Sequence, residues 1–351
     1  MAPGSQSLVV DSYRYAALVV SRVVSSGYLQ MVKTIPQMYR YLYDRAERAR
    51  EIGPFRTWAH QFAAANLRVL IENERPDAVV CTHAFPCGAM AEYKAAYDDA
   101  PPVLGVVTDF AVHGFWVHAN VDGYAVATDA MRGALAARGV AAERIVTTGI
   151  PVHPHFLNQM EPRSALRARL GLPEEGAIVL LMGGGLGIGP LERMMEALER
   201  LEGPVAAVAI AGRNGRTERR ARAASASLHL PVRVLGFVEN VYDYMHACDV
   251  LVTKPGGLTA AEALVAGIPM VLCRPLPGQE ERNARFLVDG GCAMRVRRLE
   301  ELPEVLSAVL SDADRRARMR CSALALGRPH AAREIGGLIA RLARVREECV
   351  A

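Results

Sequence analysis

Two strand-to-helix corners between residues 252 and 284 carry the residue types of a phosphate and sugar site. The first reads Thr253-Lys254-Pro255-Gly256-Gly257 and opens a helical pattern with Glu262 in its first turns. The second is the polar loop 277–284, which follows the apolar strand pattern Ile268–Cys273 and opens another helix. Glycines let the backbone approach a phosphate, and a helix N-terminus offers it free N–H groups. Ligands of open parallel sheets bind outside the carboxyl ends of the strands, so the corners predict a binding site.

The side chains at these corners suit a nucleotide sugar. Glu262 can accept hydrogen bonds from two ribose hydroxyls, and Gln279 and Glu280 have the reach and polarity to hold sugar hydroxyls. The residues of the two corners predicted to bind the ligand are Gly256, Gly257, Leu258, Thr259, Glu262, Gln279, Glu280 and Asn283.

A glycine-rich loop precedes these corners. Five of the seven residues 183–189 are glycine, after an apolar strand pattern and before a helical one. Gly184, Gly185 and Gly187 are therefore predicted to contact a diphosphate through their backbone; the alternative is a flexible loop without a ligand. No Gly-Lys-Ser/Thr follows, which excludes a Walker A loop. The next strand ends at Arg213 instead of an acid, which argues against a standard dinucleotide site; Arg213 faces either the phosphates or solvent.

The composition is that of a two-domain globular protein. The chain has 351 residues, of which 51% are hydrophobic and 22% charged, and its net charge of +4 is too small to indicate nucleic-acid binding. Seven scattered cysteines without a Cys-x-x-Cys pair indicate reduced thiols in a cytoplasmic protein. No apolar run reaches the ~18 residues of a membrane span, and no signal peptide is recognised.

Strand and helix patterns alternate from about residue 76 onward, which predicts parallel α/β sheets. The segment 149–154 contains two prolines and no periodicity, and it is interpreted as a linker. Helices are predicted at 36–50, 55–73, 86–98, 129–138, 189–201, 215–227, 299–311, 314–325 and 330–347.

The motifs at residues 252–284 resemble the nucleotide-sugar half of GT-B glycosyltransferases, in particular the monogalactosyldiacylglycerol synthases and bacterial processive diacylglycerol glucosyltransferases. The resemblance implies two Rossmann-like parallel-sheet domains facing a cleft. Residues 1–150 would then bind the acceptor lipid, 151–327 would bind the UDP-sugar, and the helix in 328–351 would pack back toward the first domain. It also places Phe237 and Val238 against the uracil ring; the alternative for Phe237 is a core position.

The first domain contains the pattern Thr108-Asp109-x3-His113-x2-Trp116-x-His118, which resembles the family's acceptor-domain signature. The resemblance makes Asp109 and His113 candidates to orient or deprotonate the acceptor hydroxyl. Trp116 and His118 are expected on the acceptor or lipid side. Tyr28 lies in the basic, aromatic segment 27–43, which is interpreted either as an interfacial surface or as an ordinary core-facing helix.

The resemblance implies an inverting, metal-independent transfer of galactose or glucose from UDP-galactose or UDP-glucose to diacylglycerol or a related lipid. No cofactor beyond the donor substrate is expected. The enzyme would lie peripherally on the anionic cytoplasmic face of the cell membrane. The alternatives are an enzyme similar to UDP-N-acetylglucosamine epimerases or to the peptidoglycan lipid I transferase, and a catalytically silent UDP-sugar or lipid binder.

Family members begin with a strand and a Gly-x-Gly-His-type loop, whose histidine is the favoured catalytic base. In this chain residues 8–12 resemble the family's second strand, so the first strand and its loop are expected to be missing. The resemblance therefore leaves Asp109 and His113 as the candidate bases.

Overall fold

The computed structural model describes residues 5–12, 54–157, 161–184, 190–273, 275 and 278–350, with backbone only for 54–59 and 345–350. These residues belong to two units. The first comprises residues up to 151, 277–279 and those from 330 onward, and the second comprises 152–276 and 280–329. The predicted helix at 36–50 lies outside the described residues.

The strands of the described ranges are β1 (Val79–Cys81), β2 (Val103–Val106), β3 (Gly123–Val126), β4 (Ile145–Thr147), β5 (Ala177–Met182), β6 (Val205–Ile210), β7 (Val232–Leu235), β8 (Val250–Thr253), β9 (Met270–Cys273) and β10 (Ala293–Val296). The α-helices are α1 (Pro54–Glu74), α2 (Ala84–Ala96), α3 (Asp129–Ala136), α4 (Arg163–Leu170), α5 (Leu191–Leu198), α6 (Gly215–Ser225), α7 (Val241–Ala247), α8 (Gly257–Ala266), α9 (Gln279–Asp289), α10 (Leu302–Leu310), α11 (Ala313–Leu326) and α12 (Ala331–Val350).

The first unit contains a four-stranded parallel sheet in the order β1-β2-β3-β4. Side chains alternate between the faces of a strand, so Leu104 and Val106 lie on one face of β2. There they pack with Ala125 of β3 and with Ile335 and Leu338 of α12. The last helix of the chain therefore covers an apolar face of the first unit's sheet.

The other face of this sheet accommodates a tyrosine because β2 has a glycine at its centre. A Cβ on Gly105 would lie 2.9 Å from Cδ1 of Tyr124. Tyr124 is 1% exposed, so its ring occupies the space that a larger residue at position 105 would fill. This packing also fixes the position of the Tyr124 hydroxyl.

The second unit contains a six-stranded parallel sheet in the order β10-β9-β8-β5-β6-β7. The central strands β5 and β6 are continuous runs of Val, Leu, Ile, Ala and Met, and β8 differs only by its terminal Thr253, as expected for strands that are covered on both faces. Met194, Met195 and Leu198 of α5 are fully buried in the core on one face of the sheet.

A polar network ties α4 to the amino ends of β5 and β8. The Asp249 carboxylate accepts hydrogen bonds from the N–H of Ile178 at 2.7 Å, from Arg163 at 2.6 Å and from Arg167 at 2.9 Å. Arg167 is buried and also donates to the carbonyls of Ala247, Glu174 and Gly176. A buried charge with this many partners is well compensated, and the network lies at the sheet edge opposite the predicted ligand corners.

Three local features differ from the sequence predictions. The strand predicted at residues 8–12 is wrong, because residues 5–11 have no regular secondary structure and Leu8 and Val9 are 61% and 95% exposed. A short apolar run forms a strand only when a neighbouring strand pairs with it. Helix α4, in which four of eight residues are charged or polar, and strand β10, whose four residues include Arg295, were not predicted.

Candidate functional site

The candidate donor site lies where the chain reverses its direction across the second sheet. From β5 the chain proceeds to β6 and β7 on one side, and then crosses to β8, β9 and β10 on the other. β5 and β8 are neighbours whose ends are level, with Met182 paired to Thr253. The chain thus leaves β5 and β8 toward opposite sides of the sheet, and at such a point open α/β sheets bind ligands beyond the carboxyl ends of their strands. The glycine-rich loop follows β5, and the Pro-Gly-Gly turn follows β8.

The turn after β8 leaves a helix N-terminus open. Gly256 donates to the carbonyl of Lys254 at 2.8 Å and is the N-cap of α8, where no side chain caps the helix. A Cβ built on Gly256 would meet nothing within 4 Å. The first N–H groups of a helix have no intrahelical partner, so those of Gly257, Leu258 and Thr259 can receive an anion.

Lys254 of this turn lies next to Gly184 in the loop after β5. It was not among the site residues predicted from the sequence. Gly184 has φ +78°, and a Cβ built there would lie 3.5 Å from Cε of Lys254. The Lys254 ammonium forms an ion pair with Oε1 of Glu280 at 3.1 Å. Lys254 thus connects the loop after β5 with the start of α9. Its signal in the sequence was weak: it is one of three lysines in the chain, and it directly follows a strand.

Glu262 lies in the second turn of α8 and is half-buried. Burial raises the pKa of its carboxyl to about 7. Glu262 forms no hydrogen bond or ion pair with the part of the chain that the structure describes. A half-buried carboxyl group without a partner is costly, and polar donors of a ligand would lower that cost.

The first turns of α9 contain both half-buried and fully buried side chains. Gln279 and Glu280 are half-buried and open the helix, as a sugar-binding role requires. Asn283 is fully buried, and its Nδ2 donates to the carbonyl of Pro255 at 3.0 Å. Its amide thus holds the Pro-Gly-Gly turn, and a direct contact of Asn283 with the donor stays a prediction.

Arg213 and Phe237 form a stacked pair beyond the ends of β6 and β7. The Arg213 guanidinium lies 4.4 Å from the centroid of the Phe237 ring, and Phe237 is 54% exposed. A core position for Phe237 is therefore excluded, while Val238 beside it is half-buried. The pair presents a flat cationic and aromatic surface of the kind on which a base can stack.

Asp109 and His113 follow β2 in the first unit. Asp109 is half-buried, and the preceding Thr108 donates to the carbonyl of Thr82 at 3.4 Å, which joins the loops after β1 and β2. His113 is buried, and its Nδ1 accepts the N–H of Phe115 at 3.3 Å. That lone pair cannot accept another proton while the bond lasts.

Trp116 and His118 are buried rather than presented to a ligand. Trp116 is 3% exposed, and its carbonyl accepts the Tyr124 hydroxyl at 2.7 Å. His118 is 7% exposed, with Nε2 3.1 Å from the carbonyl of Phe115 and its ring centroid 5.5 Å from that of buried His60. Contact of Trp116 and His118 with the acceptor therefore stays a prediction, and in the structure both side chains pack in the interior. Burial raises the pKa of Tyr124, which stays a neutral donor at the centre of the cluster.

Three predicted site residues lie outside the described residues, namely Gly185, Gly187 and Tyr28. Among the described helices, none is long and apolar enough to cross a membrane. In the same part of the chain, no three His, Cys, Asp or Glu side chains are grouped so that they could hold a metal ion.

Both halves of the sequence match known families. Residues 2–152 match the monogalactosyldiacylglycerol (MGDG) synthase family, and residues 162–324 match glycosyl transferases group 1. The processive diacylglycerol beta-glucosyltransferase of Bacillus subtilis is 33% identical over 322 residues, which are 90% of this chain and 82% of that protein. The Bacillus pumilus enzyme of the same name is 30% identical over 335 residues, which are 95% and 86% of the two chains.

Solved structures with low sequence identity share the fold. MurG of Acinetobacter baumannii is 20% identical with a TM-score of 0.60, covering 83% of this chain and 81% of its own. UDP-GlcNAc 2-epimerase of Neisseria meningitidis, bound to UDP-GlcNAc, is 15% identical with a TM-score of 0.60, covering 83% and 84%. Anabaena HepE in complex with UDP is 18% identical with a TM-score of 0.55, covering 80% and 82%.

The two parallel-sheet units, the corner after β8 and the match to relatives over nine-tenths of the chain all agree with one family assignment. The chain is a hexosyltransferase with the GT-B fold, and it belongs to the family of monogalactosyldiacylglycerol synthases and processive diacylglycerol glucosyltransferases.

Proposed function

We propose that this enzyme transfers galactose or glucose from its UDP derivative to diacylglycerol, with inversion at the anomeric carbon. The observation that carries the proposal is the corner after β8, where α8 begins at Gly256 without a side-chain cap from that residue and contains the half-buried Glu262, which has no partner among the described residues. The relatives are named diacylglycerol glucosyltransferases, and solved neighbours hold UDP or a UDP-sugar, which supports this choice of substrates.

Each part of the donor has a matching group. The N–H groups of Gly257, Leu258 and Thr259 and of the loop containing Gly184, Gly185 and Gly187 bind the diphosphate. Glu262 accepts the ribose hydroxyls, while Gln279 and Glu280 hold the hexose. The uracil lies against Phe237 and Val238, beside Arg213.

In the proposed reaction, the acceptor hydroxyl oxygen attacks the anomeric carbon, and the bond from this carbon to the phosphate oxygen breaks. UDP leaves with the electron pair, and the hydroxyl proton passes to Asp109, with His113 as the alternative base. A single displacement inverts the anomeric centre. The N–H groups at the start of α8 stabilise the charge that develops on UDP, so the reaction needs no metal ion.

The lipid acceptor implies work at a membrane. We place the enzyme peripherally on the anionic cytoplasmic face, where its net charge of +4 favours attraction to the surface. The segment 27–43, with Tyr28, is the candidate contact.

The test uses purified protein, liposomes that contain diacylglycerol, and UDP-glucose, UDP-galactose and UDP-N-acetylglucosamine. UDP release and glycolipid mass are recorded together. We expect a hexosyl-diacylglycerol, and Glu262→Ala should lower its rate about 100-fold because two hydrogen bonds to a charged acceptor are lost. Glu304→Ala, an exposed glutamate of α10, is the matched control and should leave the rate unchanged.

Other outcomes separate the alternatives. Conversion of UDP-N-acetylglucosamine without any need for liposomes would indicate an epimerase and contradict the proposal. UDP binding without product from any donor would indicate a silent binding protein.

A further inference from the structure

Lys254 lies inside the candidate donor site. Its ion-pair partner, Glu280, is itself predicted to bind the sugar donor. The Lys254 and Glu280 side chains are 16% and 15% exposed, and Nζ lies 3.1 Å from Oε1. A pair this deep differs from surface ion pairs, because removal of one partner leaves a poorly solvated charge behind. The pair therefore responds to any ligand that competes for either member.

The lysine is placed where a phosphate is expected. It directly follows Thr253 at the end of β8, and its own carbonyl accepts the N–H of the α8 N-cap, Gly256. Its stem passes Gly184 in the loop after β5, with Cε 3.5 Å from the position of a Cβ there. One turn thus carries both the ammonium group and the open helix N-terminus, and both favour the same anion.

A nucleotide sugar carries groups that could replace each member of the Lys254–Glu280 ion pair as a partner of the other. Its diphosphate offers oxygens to a lysine, whose ammonium group has three donors in no fixed plane. Its hexose offers hydroxyl donors to a carboxylate, which can only accept. A donor that carries both groups can separate Lys254 from Glu280 and supply each with a new partner.

We infer that Lys254 binds the donor diphosphate, and that Glu280 holds Lys254 in the resting enzyme and releases it when the hexose hydroxyls replace it. This inference rests on the proposed UDP-sugar site. UDP alone takes Lys254 and breaks its ion pair with Glu280 without offering hexose hydroxyls in return, so UDP binds less well than UDP-hexose. After transfer, Glu280 recaptures Lys254, and this weakens the binding of UDP and promotes product release.

Two single variants test the inference in opposite directions. Lys254→Met should weaken UDP binding about tenfold or more, the loss expected for a hydrogen bond between charged groups, and leave uridine binding unchanged because uridine has no phosphate. Glu280→Gln removes the competing charge, so it should tighten UDP about threefold while reducing the preference for UDP-glucose or UDP-galactose over UDP. A variant that is merely misfolded would not bind UDP more tightly.

Lys94→Met is the matched control. Lys94 forms a similar ion pair with Asp122 at 2.6 Å, with 20% and 31% of the side chains exposed, in the other unit. It should leave UDP binding unchanged. Dissociation constants for the four ligands are measured by calorimetry on the full chain, with thermal melting of each variant as a folding check.

The outcomes distinguish this inference from the proposed function. If the unaltered protein binds UDP but Lys254→Met binds it equally well, or Glu280→Gln fails to tighten it, the exchange is overturned while the donor site stands. If the unaltered protein binds none of UDP, UDP-glucose and UDP-galactose, the proposed function fails and the inference fails with it.

Discussion

The two sheets of this enzyme end in polar corners of different kinds. In the second unit, the corner after β8 has an uncapped helix N-terminus, a glycine with open space around it and a carboxyl group without a described partner. In the first unit, the segment after β2 places His113, Trp116 and His118 in the interior. Parallel sheets direct polar loops to the same edge, and among the described residues the two corners differ in how deeply their polar side chains are buried.

Several histidines of the chain accept a hydrogen bond from a backbone N–H group two residues ahead. Nδ1 of His83 accepts the N–H of Phe85, and Nδ1 of His113 accepts that of Phe115, each two residues ahead. His153 does the same for His155 in the linker region. A histidine at a strand end is thus often a local cap for the next turn, and its presence alone does not indicate catalysis.

The difference between the corners is tested most strongly at Trp116. Trp116→Ala should lower the free energy of unfolding by about 3–5 kcal/mol, because a large buried side chain leaves a cavity. Phe237→Ala, an exposed aromatic of the other corner, should change it by less than about 0.5 kcal/mol. Chemical denaturation measures both. A Trp116→Phe variant with normal stability but little activity would instead assign Trp116 to the acceptor.

Asp109→Asn tests whether the first corner retains a catalytic group. We expect kcat to fall by about 10²–10³-fold while UDP affinity stays constant, because a general base acts only on the acceptor. His113→Asn keeps an oxygen that can accept the N–H of Phe115, and it should lower kcat only slightly. Glycolipid formation at saturating donor measures both variants. The reverse ranking would make His113 the base.

Asn283→Ala tests whether the Asn283 amide holds the Pro-Gly-Gly turn at the second corner. The loss of the hydrogen bond to Pro255 leaves a buried carbonyl unpaired, which should cost about 1–3 kcal/mol of unfolding free energy. UDP affinity should fall only several-fold, through displacement of the turn. Arg285→Ala, at an exposed position of α9, provides the comparison. Loss of UDP binding at unchanged stability would restore a direct contact.

The pH dependence of donor binding tests the open carboxyl group of Glu262. Its pKa is raised to about 7, so below that pH the protonated form must lose its proton to accept two ribose hydroxyls. UDP-glucose affinity should therefore fall by at most about tenfold per pH unit below 7. Calorimetry at pH 6, 7 and 8 measures it. Glu262→Gln should remove this dependence, and an identical profile in this variant would assign it to another group.

The raised pKa of Glu262 also predicts how the free energy of unfolding changes with pH. The folded pKa exceeds the unfolded value of about 4.3, so the folded protein binds more protons between pH 4 and 7. Stability therefore falls as pH rises through this window, and Glu262→Gln should flatten the slope.

Local patterns predicted the elements around the candidate donor site better than the contacts within it. The alternation of strands and helices and the turn before Glu262 are encoded by neighbouring residues, and the structure contains both. The ion pair between Lys254 and Glu280 joins residues 26 positions apart, and no periodicity relates them. Strand β10, which contains Arg295, and helix α4, half of whose residues are charged or polar, were missed.

The sequence by itself determined the class of fold, the order of its elements and the glycine turn that opens α8, because these depend on residues close together in the chain. Only the tertiary structure decided that Trp116, His118 and Asn283 are buried, that α12 packs on the first sheet, and that Lys254 meets Glu280. Burial and pairing depend on which distant segments pack together, and a residue's type does not state which of its possible partners it will find.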